Sequence, residues 1–307
     1  MRAAIYTKPG APPEPGTFED PVAGDDQAVL EVRAAGLNPY DLTLASGAMG
    51  PQPLPRVAGL EAVGTLPDGA RVYVGSSVRP FGAFAERTLV DPSRAFAVPD
   101  GLADHLAVAL GISGLAAWLP LTYQARLQPG ERVLVLGATG VVGRIAVQAA
   151  RLLGAGRVVG AGRHRASLEA LRELGAHAVV ALGEGDDAAA LQAEADDGYD
   201  VVLDTVYGSP FVAALAATAA YARLVTIGGG AGQVAEVPYG ALLGRTHIGH
   251  ATGFVPADAQ REAYAALTRH ALLGELDVEI ERVALDRVAE AWATQASGAH
   301  RKLVIVP

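Results

Sequence analysis

The chain has 307 residues, 50% hydrophobic and 19% charged, which describes a folded globular protein with room for two domains and excludes a disordered tail. Its 33 acidic and 24 basic residues leave a formal net charge of −9, which excludes nucleic acid and an anionic membrane as main partners, since both need a basic face. Cysteine is absent, which excludes disulfides, a thiol nucleophile and thiolate metal ligands, and no window offers about 18 uninterrupted apolar residues, so a cytoplasmic protein without a membrane span is expected.

Residues 1–110 read as β-rich. Residues 2–6 and 28–35 alternate or run apolar like strands, with the Pro/Gly-rich residues 9–16 as a connection between them. Further strands are expected at residues 62–66, 71–74, 83–90 and 95–98, separated by turn signals such as Pro67-Asp68-Gly69. That spacing suggests a small barrel or sandwich. From Leu102 the pattern turns helical, with Leu106, Ala109 and Leu110 followed by Leu115, Ala116 and Leu119.

Residues 133–136 are then an unbroken branched-apolar run, as a strand buried on both faces requires. Val142, Ile145, Ala146, Ala149 and Leu153 follow at helical spacing on one face. Between them stand Gly137, Gly140 and Gly143, where backbone without Cβ turns tightly and admits a ligand. The first amides of a helix lack intrahelical acceptors and sit at its positive end, so an anionic pyrophosphate suits them. The fingerprint G-x-G-x-x-G is met as Ala138-x-Gly140-x-x-Gly143, and Gly137, Ala138, Thr139, Gly140, Val141, Val142 and Gly143 are the candidate cofactor contacts. Glycines that merely let a helix pack on a sheet are the alternative. The preceding strand, the following helix and a second strand at residues 157–160 favour the dinucleotide turn.

The second strand ends in Ala161-Gly162-Arg163-His164-Arg165. An NAD site wants an Asp or Glu about 20 residues beyond the turn to hold the ribose 2′-hydroxyl, and here that place is Gly162. Glycine leaves room for a 2′-phosphate, and Arg163, with His164 or Arg165, offers charge-assisted hydrogen bonds to it. NADPH is therefore the expected cofactor; solvated charges at a helix start are the alternative.

Helices and strands then alternate through residues 167–227, which means a doubly wound parallel sheet. Ligands bind beyond the carboxyl ends of such strands, which adds Thr205 and Gly228, Gly229 and Gly230 to the cofactor candidates. Past Gly230 the alternation fades. A segment at residues 246–251, a helix at 258–273, a strand at 278–285, a helix at 286–296 and a last strand at 303–306 fit the first region better than a further nucleotide-binding unit. The expected domains are 1–112, 113–247 and a return over 248–307.

The ordered motifs Ala34-Ala35-Gly36-Leu37-Asn38-Pro39-Tyr40-Asp41, Gly59-Leu60-Glu61-Ala62-Val63-Gly64, residues 111–118, the turn 137–143, Leu174-Gly175-Ala176, residues 200–204 and 223–228, and Lys302-Leu303-Val304 resemble the medium-chain dehydrogenase/reductase superfamily, in its zinc-independent quinone oxidoreductase, zeta-crystallin-like branch. The resemblance covers nearly the whole chain. It implies an α/β protein with a GroES-like β-barrel catalytic domain from both chain ends, a Rossmann doubly wound parallel sheet between them, and a cleft where nicotinamide meets substrate. It also implies a homodimer joined through the Rossmann sheet edge near residues 223–227.

Asn38 stands where zinc-dependent members place a first cysteine, and Leu60 where they place a histidine. Glu61 alone cannot hold zinc, so no metal is expected. Without a Lewis acid an alcohol is a poor hydride donor, and reduction of a quinone or another α,β-unsaturated carbonyl compound by NADPH is the easier task. The resemblance makes Asn38 the candidate for shaping the nicotinamide and substrate site, with a cap on the turn before Pro39 as the alternative. Tyr40 is the candidate proton donor, with a packed aromatic as its alternative. Many relatives carry their tyrosine three positions later, where Thr43 stands. Lys302 is implied as a pyrophosphate contact or else a surface charge, and His250 falls in a segment the resemblance places near the cleft. Substrate shape depends on loops at residues 46–55 and 76–82. An enoyl-thioester reductase and a non-catalytic NADPH-binding protein are the competing readings.

Overall fold

The computed structural model describes residues 1–50 and 52–307. The chain divides into two compact units, one built from Met1–Ser113, Tyr264–Gly274 and Val278–Pro307, the other from Gly114–Ala263 and Glu275–Asp277.

The first unit opens with β1 (Arg2–Tyr6), β2 (Glu14–Thr17), β3 (Ala28–Leu37), α1 (Pro39–Ala45), β4 (Arg56–Val57), β5 (Glu61–Thr65), β6 (Arg71–Val74), β7 (Arg87–Val90), β8 (Phe96–Ala97) and α2 (Asp104–Ala109). β2 lies where a connection was expected, because its Pro15 and Gly16 read as breakers; it survives as an exposed edge strand, pairing only with β1, where a proline costs no ladder bond. The spine is β3. Its first half pairs with β7, a register shift between Val32 and Ala34 bends it, and its second half pairs with β5. Gly64 permits that last pairing, since a Cβ there would lie 2.3 Å from the Glu31 carbonyl oxygen.

The second unit begins within α3 (Ile112–Leu119) and continues as β9 (Arg132–Leu136), α4 (Val141–Leu152), β10 (Arg157–Gly162), α5 (Arg165–Glu169), β11 (Ala178–Ala181), α6 (Asp187–Ala193), β12 (Tyr199–Asp204), α7 (Gly208–Ala216), β13 (Thr218–Thr226) and β14 (Thr246–Gly249). The six strands form one parallel sheet in the order β11-β10-β9-β12-β13-β14. Val133, Leu134, Val135 and Leu136 are fully buried, as their unbroken apolar run requires. The chain order reverses between β9 and β12, which is where doubly wound sheets open to ligands.

Two sequence expectations are corrected here. Residues 246–249 do not rejoin the first unit; β14 pairs in parallel with β13 as a sixth strand, and this second unit keeps the chain as far as Ala263. In consequence the sheet edge is β14, and residues 223–227, flanked by β12 and β14, are not an edge.

The chain then runs through α8 (Ala257–Leu272), β15 (Ile280–Ala284), α9 (Val288–Ala296) and β16 (Lys302–Val306). β16 lies antiparallel to β3 and parallel to β15, closing the first unit's larger sheet as β15-β16-β3-β5-β6-β8 with β7 on β3. Leu30, Leu37, Phe84, Trp292 and Ile305 are among the residues of its core. Among the described residues no helix is long and apolar enough to cross a membrane.

Candidate functional site

In the second unit Gly140 caps the start of α4, so the free amides of that helix open at the carboxyl end of β9. Gly137 has φ +73° and a Cβ there would fall 2.2 Å from Thr205 Oγ1, while a Cβ on Gly143 would fall 2.4 Å from the Gly137 carbonyl oxygen. Both positions exclude any side chain. Gly140 and Gly230 differ: the nearest atom to a Cβ on Gly140 is 3.5 Å away, and Gly230 faces open space. The turn is thus tight where it meets protein and open where a pyrophosphate would lie. Thr205 Oγ1 is committed to the Leu136 carbonyl, donating at 2.9 Å, and a Cβ on Gly228 would lie 2.7 Å from the Thr205 carbonyl oxygen.

The three candidate residues for a 2′-phosphate separate cleanly. His164 caps α5, its Nδ1 accepting from the Ser167 amide at 3.3 Å and lying 2.7 Å from Ser167 Oγ. Arg165 forks onto Glu184, with Nε donating to Oε1 at 2.8 Å and a second bond to Oε2. Arg163 is exposed and has no polar partner among the described residues. Only Arg163 offers an uncommitted guanidinium beside Gly162.

Asp204, fully buried at the end of β12, organises the neighbouring loop. Its Oδ1 accepts from the amides of Val206 and Tyr207 at 2.9 and 2.8 Å, and its Oδ2 from Thr226 Oγ1 at 3.1 Å. Burial raises its carboxyl above the usual range. A cavity of about 420 Å³ lies at these strand ends, its lining including Tyr207, Thr226, Gly228, Gly229, His247 and His250. Burial lowers the His250 imidazole to about 4, so it is neutral near pH 7.

The first unit holds a buried constellation that the sequence did not disclose. Lys302 Nζ donates to Asn38 Oδ1 at 2.6 Å, to Glu61 Oε1 at 2.7 Å and to Ser113 Oγ at 3.4 Å. Asn38 Nδ2 donates to Glu61 Oε1 at 2.8 Å, while Glu61 Oε2 accepts from Tyr73 OH at 3.0 Å and from the Ile112 amide at 2.7 Å. Relative exposures are 1% for Lys302, 0% for Glu61 and 2% for Asn38, so the ammonium has all three of its donors used inside the fold. Two motif glycines make the room: a Cβ on Gly36 would lie 2.2 Å from Glu61 Oε1, and one on Gly111 would lie 2.1 Å from the Tyr73 ring. The one available signal was scarcity, since Lys302 and Lys8 are the only lysines in the chain. Tyr40, on α1, is 46% exposed.

Asp41 is also buried here, its Oδ2 accepting from the Asn38 amide at 2.9 Å. Burial is the largest cause that pushes its carboxyl up to about 7. A carboxyl whose folded pKa exceeds its unfolded value holds extra protons in the folded state, so stability declines as pH rises from about 4 to about 7 and stays lower above that. Asp41→Asn keeps an acceptor for the Asn38 amide and removes the charge. The variant is expected to be more stable than wild type at pH 8, by on the order of 2 kcal/mol, and equal to it near pH 4. Urea midpoints at the two pH values check this.

A family model described as zinc-binding dehydrogenase matches residues 141–269. A probable oxidoreductase from Mycobacterium abscessus, known as a crystal structure, is 30% identical, with a TM-score of 0.86 and coverage of 100% of this chain and 99% of that one. Quinone oxidoreductase from Pongo abelii is 28% identical over 302 residues, 93% of this chain and 91% of that protein. A phenolphthiocerol/phthiocerol polyketide synthase component of Mycobacterium tuberculosis is 32% identical over 303 residues; the match takes in 92% of this chain, which spans only 13% of that protein's length. The zinc in the matched family's description does not fit the residues present. Asn38 and Glu61 offer oxygens that already hold an ammonium, no thiolate exists in the chain, and a divalent cation would have to displace Lys302.

Proposed function

The chain belongs to the medium-chain dehydrogenase/reductase superfamily, in its quinone oxidoreductase-like branch, and from that premise we propose that it is an NADPH-dependent reductase of quinones or other α,β-unsaturated carbonyl compounds. The observation that carries the reading is the strand end at Gly162, which has no carboxylate and presents an uncommitted Arg163 beside an open glycine turn.

In this reading the amides of Val141, Val142 and Gly143 hold a pyrophosphate and Arg163 holds the 2′-phosphate. Gly228, Gly229 and Gly230, with Thr205, keep the carboxyl ends of the strands low enough for a flat ligand. Bound NADPH supplies a hydride. Asn38, its amide fixed from both sides by Lys302 and Glu61, shapes the wall of the substrate site. Tyr40, a partly exposed residue, is the group assigned to return a proton to the oxyanion that a reduced carbonyl leaves. Lys302 drops out of the cofactor set, because its donors are spent on Asn38, Glu61 and Ser113. A homodimer joined through the edge strand β14 completes the reading.

The test is loss of NADPH absorbance with a panel of quinones, enones and enoyl-coenzyme A thioesters, in buffer containing a chelator. Turnover of a quinone or enone at a rate the chelator leaves unchanged supports the reading. Turnover confined to the thioesters, or binding without turnover anywhere in the panel, contradicts it.

A further inference from the structure

The first unit also encloses a cavity of about 280 Å³ with walls that include Leu44, Ala45 and Leu54 and with Tyr6, Lys8 and Arg56 at its polar side. Arg56 is half-buried, its guanidinium 4.6 Å from the centre of the Tyr6 ring. Its Nε is buried without a hydrogen-bond partner, and among the described residues no carboxylate pairs with it. The chain is otherwise generous with such partners. The partly buried Arg71, Arg132, Arg157 and Arg223 hold Asp104, Asp200, Glu194 and Glu131 at 3.2, 3.2, 2.7 and 2.5 Å. The acid nearest in influence is Asp41, whose Oδ2 is turned to the Asn38 amide, while Arg79 adds a second positive charge. A desolvated cation without an anion is costly, and a guanidinium fork matches a carboxylate in geometry as well as charge.

We propose that this cavity is a carboxylate-recognition site, in which Arg56, with the Tyr6 hydroxyl and Lys8 at hand, binds the acid end of a small unsaturated carbonyl substrate. The inference rests on the reductase reading and narrows it to acidic substrates. The volume lies just below the range of drug-sized ligand pockets, about 300 to 1,000 Å³, which suits a short-chain keto acid.

Binding is measured by calorimetry on the whole protein without cofactor, using 4-oxopentanoate and its methyl ester as probes. Wild type is expected to bind the acid at least tenfold more tightly than the ester. Arg56→Gln should lose about tenfold or more for the acid and nothing for the ester, and Arg56→Lys, which keeps the charge and the fold but lacks the fork, should fall between. With NADPH present, 4-oxo-2-pentenoate should show the loss in KM, with kcat little changed. Equal binding of acid and ester by wild type, or retention of acid affinity in both variants, overturns the proposal. Arg56-dependent binding of the acid without reduction of 4-oxo-2-pentenoate would leave the carboxylate site standing and remove the reductase reading instead. Unchanged urea midpoints in both variants certify that they are folded.

Discussion

Lys302→Met is expected to cost about 3–5 kcal/mol of folding stability, the usual loss when one partner of a buried ion pair is removed. Against a total of about 5–15 kcal/mol for a domain, that is a third or more of the margin, and the urea midpoint should fall accordingly. The reason is local. Methionine fills much of the volume, but Glu61, with no solvent exposure, would keep only the donors Asn38 Nδ2, Tyr73 OH and the Ile112 amide, and no cation. Its carboxyl would then be forced toward the protonated form, so the loss should be smaller at low pH and grow as pH rises. Adding Glu61→Gln to Lys302→Met removes the orphaned charge while leaving an acceptor, and should restore at least half of the loss. A single variant within about 1 kcal/mol of wild type would contradict the buried pair.

Arg163→Ala is expected to raise the dissociation constant of NADPH by about ten- to a hundredfold and to leave that of NADH within about twofold. Charge-assisted hydrogen bonds to a phosphate contribute about 1.5–3 kcal/mol, and only NADPH carries the phosphate that Arg163 would meet. Arg165→Ala should have a much smaller effect, since that guanidinium is already committed to Glu184 and its removal breaks an exposed pair of little value. Fluorescence titrations of the two variants with both cofactors check the pattern. Equal losses for NADPH and NADH in Arg163→Ala would remove the phosphate assignment.

The second unit was readable because its signals are local. The run ending at Leu136, the glycines at 137, 140 and 143 and the periodic helix after them lie within one short stretch, and each acts on its immediate neighbours. β14 was not readable, because the turn-rich residues 230–245 interrupt the alternation that announces a parallel strand, and the pairing with β13 is long-range. The Lys302 and Glu61 pair is separated by 241 positions, and no pattern in either segment points to the other. Strand register brings them together. Leu303 stands opposite Leu37 and Glu61 opposite Gly36, so β3 carries β16 on one side and β5 on the other, and the missing side chain of Gly36 leaves the space in which the charges meet. The same distance effect hid the partners of Asn38, whose side-chain amide is held by residues from two other strands. Arg56 drew no attention because a lone arginine means little until the carboxylates around it have been located.

The most direct test of the central claim is a fluorescence titration of the purified protein with NADPH and, in parallel, NADH. Saturable binding at about one NADPH per chain, tighter than NADH by about tenfold or more, is the expected result. No saturation with NADPH, or a preference for NADH, would contradict it.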